Sequence, residues 1–368
     1  MTRVRYGLLV ILIFAAVELL SYGYFRTKLD QLPFSNPDLY TFTEQQVLFL
    51  AKIYNTDLGW IYKNKTELGD RGRPGLTPMN DHNYYALAFG DSFTFGTEVE
   101  ANETWPYYLE TLSNKAVLNF GMPGYGIDQI LWTFQQKSTL FKSQYVLFGF
   151  ISNDIDRSQT NYWRFVHHLR DAVPALTKPV YNWNGEEFVL QPNPVRSIED
   201  LPNLMETKFI SKLMDSDPLR STMSLPHFSF PYSKLLFNHI IWNEALRDPV
   251  SSTWEDADKM RLLKFILGKF SATACSQRTI PVVILFPDMD MVNSYQKDAG
   301  SLGKTQNAFA EMCSALNMHC YFPLEVFKNE KPARDYFLKN GHYSAATNKM
   351  IASALKNFMA NIKKEGCN

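Results

Sequence analysis

Residues 84–96 read Tyr-Tyr-Ala-Leu-Ala-Phe-Gly-Asp-Ser-Phe-Thr-Phe-Gly. The apolar run Tyr84–Phe89 is short, continuous and closed by Gly90, the pattern of a strand buried on both faces. Ser92 follows the strand within two residues and heads toward a helix. A serine at such a turn exposes its Oγ at the sheet edge, with helical N–H groups aimed near it. An Asp-Ser turn that merely caps a helix has the same local sequence.

The same grammar repeats outward from this stretch. Thr104–Leu112 reads as a helix, Val117–Phe120 as a second apolar run, Ile127–Leu140 as a helix and Tyr145–Ile151 as a third run. Farther on, Asp256–Thr273 is helical and Pro281–Phe286 reads as a buried strand. Lys304–Leu316 is helical, Cys320–Phe322 is a short last strand, and Ser344–Lys363 closes as a helix. Short apolar runs alternating with amphipathic helices predict a parallel sheet covered on both faces. With right-handed crossovers this is a three-layer α/β/α fold.

In open α/β sheets, ligands bind at the carboxyl ends of the strands. Four segments there carry candidate chemistry. The first is Gly90-Asp91-Ser92, which lacks the G-x-S-x-G elbow of α/β-hydrolases. The second is Asn119-Phe120-Gly121-Met122-Pro123-Gly124-Tyr125-Gly126, whose three glycines and proline mark a sharp turn or a close approach. It is not G-x-G-x-x-G, which disfavours a dinucleotide. The third is Ser152-Asn153-Asp154, where a carboxamide can donate to an oxyanion or simply form an Asx-turn. The fourth is Asn340-Gly341-His342-Tyr343-Ser344, the only setting in which one of the seven histidines opens the closing helix. The adjacent His167-His168 would point apart on a helix, so no metal site is expected.

Taken in order, these segments resemble the blocks of the SGNH/GDSL hydrolase family: GDSFTFG its Ser block, NFGMPGYGIDQ its Gly block, SNDI its Asn block and NGHYSAATNKMIA its terminal His block. The resemblance covers roughly residues 84–155 and 281–358. It implies a flavodoxin-like SGNH fold and serine esterase activity without a cofactor or metal. Ser92 is then the nucleophile and His342 the base. The Ser92 and Gly124 N–H groups and the Asn153 side chain form the oxyanion hole. The family usually places an Asp two or three residues before the His, where this chain has Lys339 and Asn340. Asn340 Oδ1 can accept from the imidazole and fix its tautomer, but it cannot stabilise imidazolium by charge. Asp335 is a more distant candidate. The alternatives are a Ser-His pair helped by Asn340, or a weakened site. The Ser and Gly blocks together are also similar to membrane-anchored, exported members associated with polysaccharide O-acylation. That implies an acylated carbohydrate, or another ester, as substrate.

The amino-terminal stretch Gly7–Phe25 is apolar, with Arg3 and Arg5 before it and Arg26 and Lys28 after. At about 1.5 Å per residue it is long enough for the hydrocarbon layer, with Glu18 as its blemish. It reads as a membrane anchor with the remainder extracytoplasmic, facing the periplasm in a Gram-negative cell. A signal peptide cleaved near Ser21-Tyr22-Gly23 is the alternative. The expected organisation is therefore residues 1–26 as anchor, 27–80 as juxtamembrane collar and 81–363 as the catalytic domain. An insertion at about 156–249 interrupts that domain and holds a β-hairpin turning at Asn184-Gly185. Tyr162, Trp163, Phe165, Phe228, Phe230, Tyr232, Phe237 and Trp242 in the insertion form its own core or line a sugar or acyl groove.

Composition excludes other classes. Lys+Arg and Asp+Glu both number 37, so no basic footprint for nucleic acid exists. Four cysteines cannot make a disulfide-dense scaffold, and no C-x-x-C pair suggests zinc. In an exported chain, Cys313 and Cys320 can bridge a helix-to-strand turn or remain buried thiols. Two further functions stay open beside the carbohydrate esterase: a lipid esterase or thioesterase, and a noncatalytic glycan-binding assembly subunit that keeps the fold.

Overall fold

The structure, a computed structural model, describes residues 2–26, 36–62, 66–76, 83–166, 176–222, 230–234, 253–328 and 331–362. His82, His167, His168, His227, Phe228, Phe237, His239, Trp242 and Cys367 lie outside them. The chain divides into two compact units. One comprises Met1–Gly59, Thr160–Pro179 and Pro192–Pro249, and the other Trp60–Gln159, Val180–Gln191 and Val250–Asn368.

The second unit contains the sheet. Its strands are β1 (Asn83–Gly90), β2 (Val117–Asn119), β3 (Lys142–Phe150), β4 (Ile280–Leu285) and β5 (His319–Tyr321), in the order β2-β1-β3-β4-β5. Every pairing is parallel. β3 starts three residues earlier than its apolar run because Lys142 and Ser143 still pair with Asn83 and Tyr84 of β1. The ladder is made by backbone groups, so polar side chains at the sheet's amino edge do not interrupt it.

The principal helices of this unit are α1 (Ser92–Phe95), α2 (Trp105–Ser113), α3 (Ile127–Lys137), α4 (Asn153–Arg157), α5 (Ala257–Ser276), α6 (Met289–Lys297), α7 (Gly303–Ala315) and α8 (Ala345–Ala360). Alternation along the strands sorts the side chains to two faces. Ala86, Ala88, Tyr145, Leu147, Val282 and Ile284 share a buried cluster with Trp105 and Leu109 of α2 and Ile351 and Leu355 of α8. On the opposite face Phe89 meets Phe134 of α3, and Phe148 meets Phe270 of α5. This is the expected three-layer α/β/α arrangement, with helix-covered faces that explain the uninterrupted apolar runs. α6 was not predicted from the sequence. Its start is nonetheless local, since Asp288 caps it by accepting from the Met291 N–H at 2.9 Å.

Cys313 and Cys320 are joined by a disulfide across the α7–β5 turn, with Cα atoms 6.0 Å apart. The insertion's hairpin pairs Val180–Trp183 with Phe188–Gln191, antiparallel. Its loop is four residues rather than two, because Asn184 Oδ1 accepts from the Glu186 and Glu187 N–H groups.

In the first unit, Tyr162, Trp163 and Phe165 are buried. Tyr162 and Phe165 pack with Phe42 and Tyr40, so they serve as core there. The amino-terminal helix, Thr2–Arg26, contains a 19-residue apolar stretch, Tyr6–Tyr24, long enough to cross a membrane.

Candidate active site

The sheet order places a topological switch point between β1 and β3, whose connections leave in opposite directions. Gly90 pairs with Gly149 there. Beyond them lie Ser92 on one strand end and Asn153 on the other. A Cβ on Gly90 would stand 2.1 Å from Thr94 Oγ1 and 2.6 Å from the Gly149 carbonyl, so only glycine lets α1 start directly on the strand. Asp91 caps α1 by accepting from the Phe93 N–H at 2.9 Å. Ser92, the first residue of α1, is almost fully buried.

The Gly-rich loop after β2 is tied to the same point. The Met122 N–H donates to the Gly90 carbonyl at 2.9 Å, and Asn119 Nδ2 donates to the Thr94 carbonyl at 2.8 Å. Gly121 passes so close to α1 that a Cβ would lie 2.3 Å from the Phe95 nitrogen. Gly124, three residues on, is buried. Asn153 opens α4 and is half-buried, while Asp154 and Arg157 turn inward beneath it. Arg157 Nη1 bonds Asp154 Oδ1 at 2.5 Å and the Tyr125 carbonyl at 3.4 Å, and stands 3.9 Å from Asp91 Oδ2. One cation thus links the ends of β1 and β3 to the Gly loop.

Burial pushes both acids of this cluster up. Asp91 stays raised although Arg157 and the Phe93 N–H pull it down. Asp154 is raised well above the ordinary range, by burial first and then by the charge of Asp91. Two sealed carboxylates beside one guanidinium cannot both ionise cheaply.

His342 sits in the turn Leu338–His342, closed by the Leu338 N–H on the His342 carbonyl at 2.7 Å. Its ring lies 5.4 Å from the Phe93 ring, one residue past Ser92. The following Tyr343 is buried against Phe93 and donates to the Pro287 carbonyl at 2.7 Å. Ser344 then caps α8.

The sequence expectation for the imidazole's partner needs correction. His342 Nδ1 is 2.9 Å from Glu98 Oε2. The same carboxylate accepts from the His342 N–H at 3.2 Å and the Asn340 N–H at 3.1 Å. Asn340 presents only its backbone to this contact, and its side chain is exposed. Asp335 is exposed and pairs with Arg334 instead. Burial pushes the Glu98 carboxyl up, but the His342 ring and the two N–H groups outweigh it. The net position is below the ordinary glutamate range.

Glu98 reaches His342 because α1 ends after one turn. Gly96 closes the helix in a left-handed conformation, and the Thr97 N–H folds back on the Ser92 carbonyl at 3.2 Å. Arg71 holds this return. Its guanidinium donates to the Phe95 and Val99 carbonyls at 3.3 and 3.1 Å and lies over the Phe95 ring. Sequence reasoning missed both residues. Glu98 is the first carboxylate after the Ser block, but nothing local links it to a histidine 244 positions away.

The arrangement brings a serine hydroxyl at a helix start, a Gly-loop amide, a carboxamide and a carboxylate-bound imidazole to one edge of one sheet. These are the group types that a serine hydrolase uses, gathered at the carboxyl edge of the sheet. No family model matches the chain, and no curated protein sequence does. Among solved structures it is similar to a member of the lipolytic protein G-D-S-L family from Veillonella parvula DSM 2008. The identity is 10%, 76% of this chain and 99% of that chain are covered, and the TM-score is 0.39. It is likewise similar to Axe2, an acetylxylan esterase from Geobacillus stearothermophilus, at 10% identity over 76% and 95% of the two chains, TM-score 0.40. A third is AlinE4, an SGNH-hydrolase family esterase, at 13% identity over 77% and 97%, TM-score 0.35.

Proposed function

We propose that this chain hydrolyses carboxylic esters through an acyl-serine intermediate. The observation that carries the reading is the Glu98–His342 contact, made by the loop that immediately follows Ser92. Ser92 Oγ attacks the acyl carbon as His342 Nε2 takes its proton. Glu98 fixes the tautomer with the proton on Nδ1 and offsets the imidazolium charge. The Ser92 and Gly124 N–H groups and Asn153 Nδ2 receive the developing oxyanion. His342 returns the proton to the departing alcohol. Water then attacks the acyl-serine with His342 as base, giving acid and free serine.

Asn340 stands where the family resemblance places a carboxylate, and a site without one would suit a noncatalytic subunit. Glu98 supplies that carboxylate from elsewhere in the chain, which supports an active enzyme. The substrate reading is a small acyl group, acetyl, on an extracytoplasmic carbohydrate, with Tyr6–Tyr24 anchoring the chain in the membrane. A carbohydrate hydroxyl in place of water at the second step makes the same site a transferase.

The full chain in detergent is expected to hydrolyse p-nitrophenyl acetate, with kcat/KM falling by about 10⁴-fold in Ser92→Ala. Equal rates in the two proteins overturn the proposal.

A further inference from the structure

Glu18 stands in the middle of an apolar helix, where a carboxylate is hard to place. In the structure it is buried, while Leu8–Phe14, Leu19 and Leu20 around it are bare. Its cover is a short segment of the insertion in the same unit, residues 230–234. The Tyr232 N–H, the Ser233 N–H and the Ser233 hydroxyl all donate to the Glu18 carboxylate. The Tyr232 ring meets Tyr22 edge-on at 5.0 Å, and the Phe230 ring meets Phe14 edge-on at 6.3 Å.

We infer that residues 230–233 lie beside the amino-terminal helix inside the hydrocarbon layer, with lipid as the partner of Phe230. The inference rests on the reading of Tyr6–Tyr24 as a membrane span. Tyr24 closes that span, and Phe14 lies ten residues deeper. At 1.5 Å per residue Phe230 therefore sits roughly 15 Å below the Tyr24 boundary, half the thickness of the apolar layer.

Non-helical backbone survives at that depth only where its polar groups are satisfied within the protein. Here they are. Pro231 has no N–H. The Tyr232 and Ser233 N–H groups end on Glu18, and the Lys234 N–H ends on the Pro231 carbonyl at 3.2 Å. The acid and the segment thus serve each other: the segment's donors hold the carboxylate, and the carboxylate satisfies two of its N–H groups. Phe230 faces outward at 66% exposure, beside the bare leucines and isoleucines of the helix. Water disfavours such a surface, and acyl chains suit it.

The test uses the full chain in unilamellar phosphatidylcholine–phosphatidylglycerol vesicles. A nitroxide is placed at Phe230→Cys, at Leu12→Cys on the helix, or at Lys349→Cys on exposed α8. None of the described cysteines is free to compete for the label. The expected result is that oxygen relaxes the labels at 12 and 230 more than a water-soluble nickel complex does, with the order reversed at 349. Adding Glu18→Ala is expected to shift the label at 230 toward the nickel complex while leaving 12 unchanged. A label at 230 open to nickel while 12 is protected overturns the membrane placement of residues 230–233 alone, as does a label at 230 unmoved by Glu18→Ala. Nickel access at both 12 and 230 overturns the membrane span as well.

Discussion

Two carboxylate settings flank Ser92, and they have been tuned in opposite directions. Asp91 and Asp154 are sealed around Arg157, and burial raises both. Glu98 is partly open, and its hydrogen bonds to His342 and two backbone amides bring it below the ordinary range. The difference shows which acid is able to serve the imidazole. An orienting group must be ionised at working pH and must reach Nδ1. Asp91 lies closer to Ser92 in the chain, but its Oδ1 is spent on the Phe93 N–H and its charge is costly. Glu98 meets both needs. The buried pair is therefore read as architecture that fixes strand ends, and the open acid as part of the chemistry.

The sharpest way to break this comparison is to remove the cation from the sealed setting. Arg157→Met leaves two buried acids facing each other and frees the Tyr125 carbonyl, and should destabilise the protein by about 3–5 kcal/mol near neutral pH. The pH dependence follows from the raised values. A carboxyl whose folded pKa exceeds its unfolded value contributes stability fully below the unfolded value. That contribution is lost as pH rises through the folded value. Without Arg157 both acids rise further, so the loss continues to higher pH. The gap in melting temperature between wild type and Arg157→Met should widen from pH 5 to pH 8. A constant gap would show that the pair is not sharing this cation.

Next in size is Glu98→Gln, which keeps the shape but removes the charge. It should lower kcat by roughly 10²–10³-fold, about 3–4 kcal/mol, with KM nearly unchanged and melting little altered. In the wild type the sign is opposite to that of the sealed pair. A depressed carboxyl contributes stability above its unfolded value, which is lost as pH falls through the folded value. The Glu98 contact should therefore persist across neutral pH and fail only in acid. A Glu98→Gln enzyme with full kcat would assign the orienting role elsewhere.

The same contrast separates what the sequence reveals from what it hides. Strands β1, β2, β3 and β4 are legible because burial on both faces writes an unbroken apolar run between turn residues. The Ser, Gly, Asn and His segments are legible because each lies next to the element that positions it. Asp91 and Asp154 stand inside those segments and come with them. Glu98 and Arg71 do not. Their roles depend on where two loops meet in space, with 244 positions between Glu98 and His342. Glu18 is hidden for the same reason: alone it looks like a flaw in an apolar helix, and its partners lie 214 and 215 positions away.

The smallest expected effect decides between two readings of one loop. Asn340, two positions before His342, is the residue that the family resemblance nominates to orient it. In the structure its side chain is exposed, and only its backbone N–H touches the site, at Glu98 Oε1. Substitution by alanine preserves that N–H. Asn340→Ala should therefore change kcat by less than about twofold and stability by within about 0.5 kcal/mol, as for an exposed loop position. The informative measurement is the double variant. If Glu98 alone orients the ring, adding Asn340→Ala to Glu98→Gln should cost nothing more, because alanine keeps the backbone N–H that is Asn340's contact with the site. A further tenfold loss in the double variant would mean that the carboxamide takes over the imidazole once the carboxylate is gone, and that the loop carries a built-in substitute.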